Sequence, residues 1–246
     1  MNEASKKGRL FLIPTPLWEG EISTIPDITR KVALEITCYA VENLRSGRRF
    51  LKALDSHKNI DDCTFFEMDK HGKYTVDKGF FDAILVGKDG GILSEAGCPC
   101  IADPGFLLVK EAHAKGIQVI PLVGPNSVIM ALMASGLNGQ YFHFHGYLPI
   151  EKEKRIKMIR NFGEQKHAAP QIFIETPYRN QGLLEDLLRY SGADTELCIA
   201  CDITAPEQFI LTKTIHEWSK GIPDIQKKPA VFIILPPKQK RHDRHR

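Results

Sequence analysis

Five turns in this sequence combine small residues and prolines with polar side chains: Pro14-Thr15-Pro16, Ser94-Glu95-Ala96-Gly97 running on to Asp103-Pro104-Gly105, Gly124-Pro125-Asn126-Ser127, Glu175-Thr176-Pro177, and Ile203-Thr204-Ala205-Pro206. Small residues let backbone N–H and C=O groups approach a ligand closely and leave room for it. Each turn could therefore hold a small molecule, the Ser94 to Gly105 stretch above all, although turns with a purely structural task have the same composition. No nicotinamide fingerprint, Walker loop, nucleophile elbow or HExxH run occurs, so the most recognisable hydride, phosphoryl, acyl and zinc-protease chemistries have no motif here. Cys98-x-Cys100 and Cys198-x-x-Cys201 could offer four thiolates to zinc, but neither pair lies in a zinc-ribbon context. The run "ELCIACDI" alternates like a strand, where residues three apart point to opposite faces. Buried free thiols are the simpler reading, and no metal is expected.

The turns need elements to hold them. "RLFLIPTP" reads as a buried strand, Leu10 to Ile13, stopped by two prolines. Val76 to Val86 has apolar residues at helical spacing and Gly87 as a stop, and a strand at Gly91 to Ser94 follows. In "CPCIADPGFLLVKEAHAKG", Asp103 reads as an N-cap, Pro104 as the first helical residue and Gly116 as the stop. A strand "IQVIPLV" and a second helix opened by Pro125 and Asn126 and closed by Gly136 repeat this grammar. Alternating strand and helix predicts parallel sheet. "FHFHGYLP" breaks the pattern and a charged amphipathic helix, "IEKEKRIKMIRNF", comes after it. Beyond it the order is strand, helix, strand, strand, a short helix near Trp218 and a last strand "PAVFIILPP", which suggests a mixed sheet. The expected organisation is α/β in two lobes: residues 9–124 with mostly parallel sheet, 125–237 with mixed sheet, and a basic tail at 238–246.

Bulk properties agree with two lobes, since 246 residues at 43% hydrophobic content exceed a typical single core. Nothing approaches the roughly 20 apolar residues of a membrane span, the apolar run at Leu10 is too short for a signal peptide, and six cysteines without one read as reduced thiols. A cytoplasmic protein without membrane association is expected. Of the net charge of +3, the tail "KQKRHDRHR" carries +4, leaving −1 for the body. Such a tail can bind RNA phosphates non-specifically or be a solvated end.

Taken together, "LFLIPTP", "ILSEAGCPCIADPG", "VGPNSVIMALMASGL", "FHFHGYLP" and "IFIETPYR" resemble, in order and approximate spacing, the bacterial small-subunit rRNA cytidine 2′-O-methyltransferases of the tetrapyrrole-methylase class. The likeness runs from Arg9 to about Leu235. Its most specific parts are the Ser94 to Gly105 loop and the Gly124 to Ser127 turn, and "TAPEQ", Thr204 to Gln208, resembles a run in the tetrapyrrole C-methylating cousins. The resemblance implies a two-lobed enzyme, usually a homodimer, that holds S-adenosylmethionine between its lobes. Matched by position, the cofactor would touch Pro16, Leu93, Ser94, Glu95 and Cys98 in the first lobe, and Asn126, Ser127, Glu175, Ile203 and Ala230 in the second. Where the RNA-directed branch has Glu-Asp-Thr-Arg before a basic helix, this chain has Glu42-Asn43-Leu44-Arg45 before Arg48 and Arg49. Glu42 and Arg45 are the implied catalytic residues. The three arginines could hold RNA phosphates or simply form a solvated helix face.

Three departures bear on the substrate. Asn43 is neutral and a poor base, so the proton of a ribose hydroxyl falls to Glu42 or to another carboxylate such as Glu95. Thr204-Ala205 stands where the branch has Thr-Lys, and Leu17-Trp18-Glu19-Gly20 replaces a Gly-Asn turn. The leading expectation is 2′-O-methylation of a ribose in small-subunit rRNA. The alternatives are methylation of a tetrapyrrole or other small molecule, and a non-catalytic paralogue that only binds S-adenosylmethionine.

Overall fold

A computed structural model describes residues 7–68, 76–163 and 169–237; the basic tail at 238–246 lies outside the described residues. The chain splits into two compact units, Met1–Asn126 and Ser127–Arg246. Among the described residues no helix is long and apolar enough to cross a membrane.

The first unit is a five-stranded sheet in the order β3-β2-β4-β1-β5, built from β1 (Leu10–Ile13), β2 (Cys38–Val41), β3 (Thr64–Glu67), β4 (Gly90–Leu93) and β5 (Val119–Pro121). Every pairing is parallel. Between the strands come α1 (Asp27–Glu35), α2 (Leu44–Leu54), α3 (Lys78–Leu85) and α4 (Phe106–Ala114). Alternate strand residues feed two separate cores: Leu10, Cys38, Ala40 and Ile92 face Phe80, Phe81 and Leu108, whereas Phe11, Ile13, Tyr39 and Val41 face Ala33, Phe50 and Leu51. Burial on both faces is why the inner strands β1, β2 and β4 are short apolar runs.

The second unit begins with α5 (Ser127–Ala134) and continues through β6 (His143–Tyr147), α6 (Lys152–Gly163), β7 (Gln171–Glu175), α7 (Asn180–Tyr190), β8 (Glu196–Cys201), β9 (Phe209–Thr214), α8 (Ile215–Trp218) and β10 (Ala230–Leu235). The sheet order is β6-β7-β10-β8-β9. It is mixed: β6 runs parallel to β7, and the other pairs are antiparallel. Its main core gathers Phe173, Leu197, Ile199, Cys201 and Phe232 against Leu183, Leu184, Leu187 and Trp218.

Two expectations need correction. "FHFHGYLP" breaks the pattern in composition only, because it contains the edge strand β6, half-exposed and irregular between Phe144 and Tyr147. Asp103 is not the N-cap of α4, whose N-cap is Gly105; its carboxylate accepts from the N–H of Cys100 at 2.8 Å and of Gly105 at 2.7 Å. The Asp-Pro pair therefore fastens the preceding loop and the helix starts later.

Candidate active site

In a parallel sheet the strands' carboxyl ends leave loops free to bind ligands, and in the first unit Pro16, Leu93, Ser94, Glu95 and Glu42 all lie there. Leu93 ends β4 opposite both Ile13 and Val41. Past it the chain turns sharply. Thr15 and Gly97 exchange both backbone hydrogen bonds at 3.0 Å, Ser94 Oγ donates to the Gly97 carbonyl at 2.5 Å and Thr15 Oγ1 donates to the Ser94 carbonyl at 3.2 Å. Gly97 has φ +76°, a conformation glycine adopts without steric cost. Cys100 and Ala102 also have positive φ, 68° and 61°. Such strain persists only where the surroundings hold it, and here the Asp103 carboxylate does so. Burial pushes the Asp103 carboxyl up against the opposing pull of the Gly105 and Cys100 N–H groups. Burial, with Asp103 adding to it, pushes the Cys100 thiol up to about 12.

Cys98 reaches the loop after β5 at the same end of the sheet, its thiol donating to the carbonyl of Pro125 at 3.4 Å. Burial raises its pKa and a hydrogen bond with the Asn126 side chain works the other way. Two of the predicted cofactor residues, Cys98 and Asn126, are thus in contact. Gly124 fits because it lacks a side chain: a Cβ there would lie 2.3 Å from Cβ of Pro14.

Helix α2 closes this end of the unit. Asn43 is its N-cap, with the side chain accepting from the N–H of Arg45 at 2.8 Å and of Ser46 at 3.3 Å. Ser46 Oγ donates to Glu95 Oε1 at 2.6 Å, which ties the helix to the loop after β4. Arg49 pairs with Glu19 at 2.8 Å. Among these elements is a cavity of about 490 Å³ lined by Pro16, Glu19, Ser46, Arg49, Ser94 and Glu95, among others. Glu42 and Arg45 are not in its lining. Arg45 is exposed, and among the described residues no carboxylate forms an ion pair with it or with Arg48. Sequence reasoning missed Ser46, one turn into α2, and the Glu19–Arg49 pair. Each contact joins positions far apart in the chain, so no local pattern signals it.

In the second unit the sheet brings Glu175, Ala230 and Ile203 to one end. Ala230 is the cross-strand partner of Glu175 on one side and of Cys201 on the other, and Ile203 follows two residues later. The Glu175 side chain is buried and accepts from the Thr176 N–H at 2.6 Å and from Arg179 Nε at 2.9 Å. Ser127 opens α5. The loop after β8 is strained, with φ +50° at Asp202 and +75° at Thr204. Thr204 Oγ1 is buried there without a hydrogen-bond partner among the described residues, an arrangement that costs about 1–3 kcal/mol unless something supplies one. Among the described residues no group of three or more His, Cys, Asp or Glu could hold a metal ion.

No family model matches the chain. Individual proteins do. The chain is 34% identical over 212 residues to the ribosomal RNA small subunit methyltransferase I of Halalkalibacterium halodurans, covering 86% of this chain and 70% of that protein. It is 33% identical over 227 residues to the protein of the same name from Vibrio cholerae, covering 92% and 76%. A crystal structure of a uroporphyrin-III C-methyltransferase from Thermus thermophilus, complexed with S-adenosylhomocysteine, superimposes with a TM-score of 0.56 at 16% identity, covering 92% of this chain and 97% of that one; at that identity the likeness is one of fold. Similarity that extends over most of both sequences, on this pair of sheets, places the chain in the ribosomal RNA small subunit methyltransferase I family.

Proposed function

We propose that the chain transfers the methyl group of S-adenosylmethionine to a ribose 2′-hydroxyl of small-subunit ribosomal RNA, in the cytoplasm and as a homodimer. The observation that carries the acceptor side of this reading is the cavity beside α2, where Glu95 is oriented by Ser46 and Arg49 stands at the wall. The residues proposed for the cofactor are Pro16, Leu93, Ser94, Glu95, Cys98 and Asn126 in the first unit and Ser127, Glu175, Ile203 and Ala230 in the second. The Thr204 hydroxyl beside Ile203, without a partner among the described residues, fits a polar ligand at that loop. The chemistry the cofactor supplies is an activated methyl group on a sulfonium, which asks the protein mainly for in-line positioning and exclusion of water.

What the chain itself must add is acceptance of the hydroxyl proton. Glu95 is the carboxylate we assign to it, since it lines the cavity and is held by a neutral hydroxyl donor. Arg45, Arg48 and Arg49 then hold phosphates flanking the acceptor. For self-association the support is apolar exposure: Met133 on α5 is 79% exposed and Ile129 one turn earlier 43%, a surface more apolar than a helix facing water needs.

The test is to incubate the purified protein with radiolabelled S-adenosylmethionine and either small ribosomal subunits or a small-metabolite extract. Label is expected in the RNA, at ribose, and Glu95→Gln should lower kcat by about a hundredfold or more. Label confined to the metabolites would replace the acceptor, and label in neither fraction would leave a binding protein.

A further inference from the structure

The exposed arginines of the second unit are arranged in a way the proposed active site does not use. Arg160, near the end of α6, has its guanidinium carbon 5.2 Å from the ring centroid of Tyr190, and Arg189, near the end of α7, lies 5.5 Å from the same centroid. Both side chains are exposed, as is Lys157, one turn before Arg160. Among the described residues neither arginine has a carboxylate partner, whereas Arg9, Arg49, Arg155 and Arg179 each do. The carboxylates on these two helices are elsewhere engaged or exposed: Asp186 pairs with Arg155 at 2.7 Å, and Glu153 and Glu185 face solvent.

Two guanidiniums within 5.5 Å of one ring centroid gather positive charge that no carboxylate of the described residues pairs with, and cation–π attraction at an exposed site is worth only about 0.5–1 kcal/mol each. Complementing the helix dipoles accounts for a basic residue in each last turn, but not for their convergence on a shared aromatic. An anion bound beside them balances that charge. The scaffold is also rigid. Arg155 clamps α6 to α7 through Asp186 and donates to the carbonyls of Pro149 at 3.2 Å and Ile150 at 2.9 Å, in a buried setting that fixes where the exposed arginines start. Planar guanidinium forks match phosphate oxygens in pairs.

We infer that the carboxyl-terminal ends of α6 and α7 form a dock for the phosphate backbone of RNA, with Arg160 and Arg189 as the phosphate-holding groups, Tyr190 as the plate that orients them and Lys157 alongside. This rests on the proposed RNA substrate and adds to it a second anchoring surface, on the unit that does not carry the α2 arginines. The dock positions RNA and takes no part in methyl transfer.

The test uses the full chain and a fluorescent fragment of small-subunit rRNA, comparing wild type with the double variant Arg160→Gln, Arg189→Gln, and with Lys78→Gln as a surface control. Affinity should fall five- to tenfold in the double variant. The slope of log affinity against log salt should drop by about 1.4 to 1.8, the value for two lost phosphate contacts. Affinity for S-adenosylmethionine and kcat at saturating RNA should not change, so the loss appears in KM alone. RNA affinity and salt slope equal to wild type, in a protein that methylates RNA, would overturn the dock and leave the function standing. Polyglutamate competing as well as RNA of equal charge would also overturn it, since an acidic protein would then fit as well. If the wild type neither binds nor labels RNA, the proposed function fails and the dock with it.

Discussion

Asn43 decides how the difference from the Glu-Asp-Thr-Arg pattern is to be understood. Its side-chain oxygen accepts two backbone N–H groups at the start of α2, a task that Asn and Asp perform about equally well and Ala cannot. Asn43→Ala should therefore cost about 1 kcal/mol in urea unfolding, while Asn43→Asp should leave stability within a few tenths or raise it slightly, a negative charge being favoured near a helix N-terminus. Activity should follow the same logic, with Asn43→Asp staying within twofold of the parent. A gain of tenfold or more would move the proton from Glu95 to position 43. The cysteines show what residue type alone can and cannot disclose. Burial pushes Cys38 up to about 11 and Cys201 up to about 12, so below those values both remain thiols. At pH 8 they should resist iodoacetamide in the folded protein and react once urea is added; rapid labelling of Cys201 in the native state would contradict its place in the core. The alternation that places Cys198 and Cys201 on opposite faces of a strand was legible in the sequence, and Cys201 does lie with Leu197 and Ile199 on the core-facing side of β8. The partnership of Ser46 with Glu95 was not, because 49 positions separate them.

At the scale of elements, legibility followed punctuation. The segments ending in Gly116 and Gly136 announced helix and stop because proline, aspartate and glycine marked the ends, and the helices stand there, each starting two residues after the proline that was read as opening it. By contrast α1, β2 and β3 were not read. Between Glu35 and Cys38 the chain passes from helix to strand through Ile36 and Thr37, with no glycine or proline at the change, so hydrophobic periodicity had nothing to separate it from one continuous segment. Strand β6 was missed for a different reason: as an edge strand it is only half-buried and carries His143, His145 and Gly146 where a central strand would have aliphatic residues. The loop after β8 was read as a turn from Ala205 and Pro206, but its strain and its unsatisfied hydroxyl are properties of burial. They lead to a prediction in which stability and binding move in opposite directions. Replacing Thr204 by Val keeps the shape and removes the unpartnered hydroxyl, so the ligand-free protein should unfold at equal or higher urea concentration. Its affinity for S-adenosylhomocysteine should fall about tenfold by calorimetry, since a lost hydrogen bond of about 1.4 kcal/mol corresponds to that factor. Unchanged affinity would mean that the Thr204 hydroxyl serves no ligand.

For the molecule as a whole the question is whether it works alone. A monomer that exposes Met133 and Ile129 from the same helix keeps apolar area in water that a second copy could cover, at roughly 25 cal/mol for each Å² removed. A twofold-symmetric contact uses each patch twice, so a single substitution there acts at two places in the assembly. The proposed homodimer should sediment at twice 27.7 kDa, and its melting temperature should rise with protein concentration, because association favours the folded form by mass action. Met133→Glu should then place two like charges at or near the contact, shift the mass to 27.7 kDa and abolish the concentration dependence, without altering the far-ultraviolet circular dichroism, since an exposed position on α5 contributes little to the core. Ile129→Ser should weaken association less, in proportion to the smaller apolar area it exposes. A wild-type protein that sediments at 27.7 kDa at every concentration up to that of the methylation assay would remove the dimer, and the exposed face of α5 would then need a different partner.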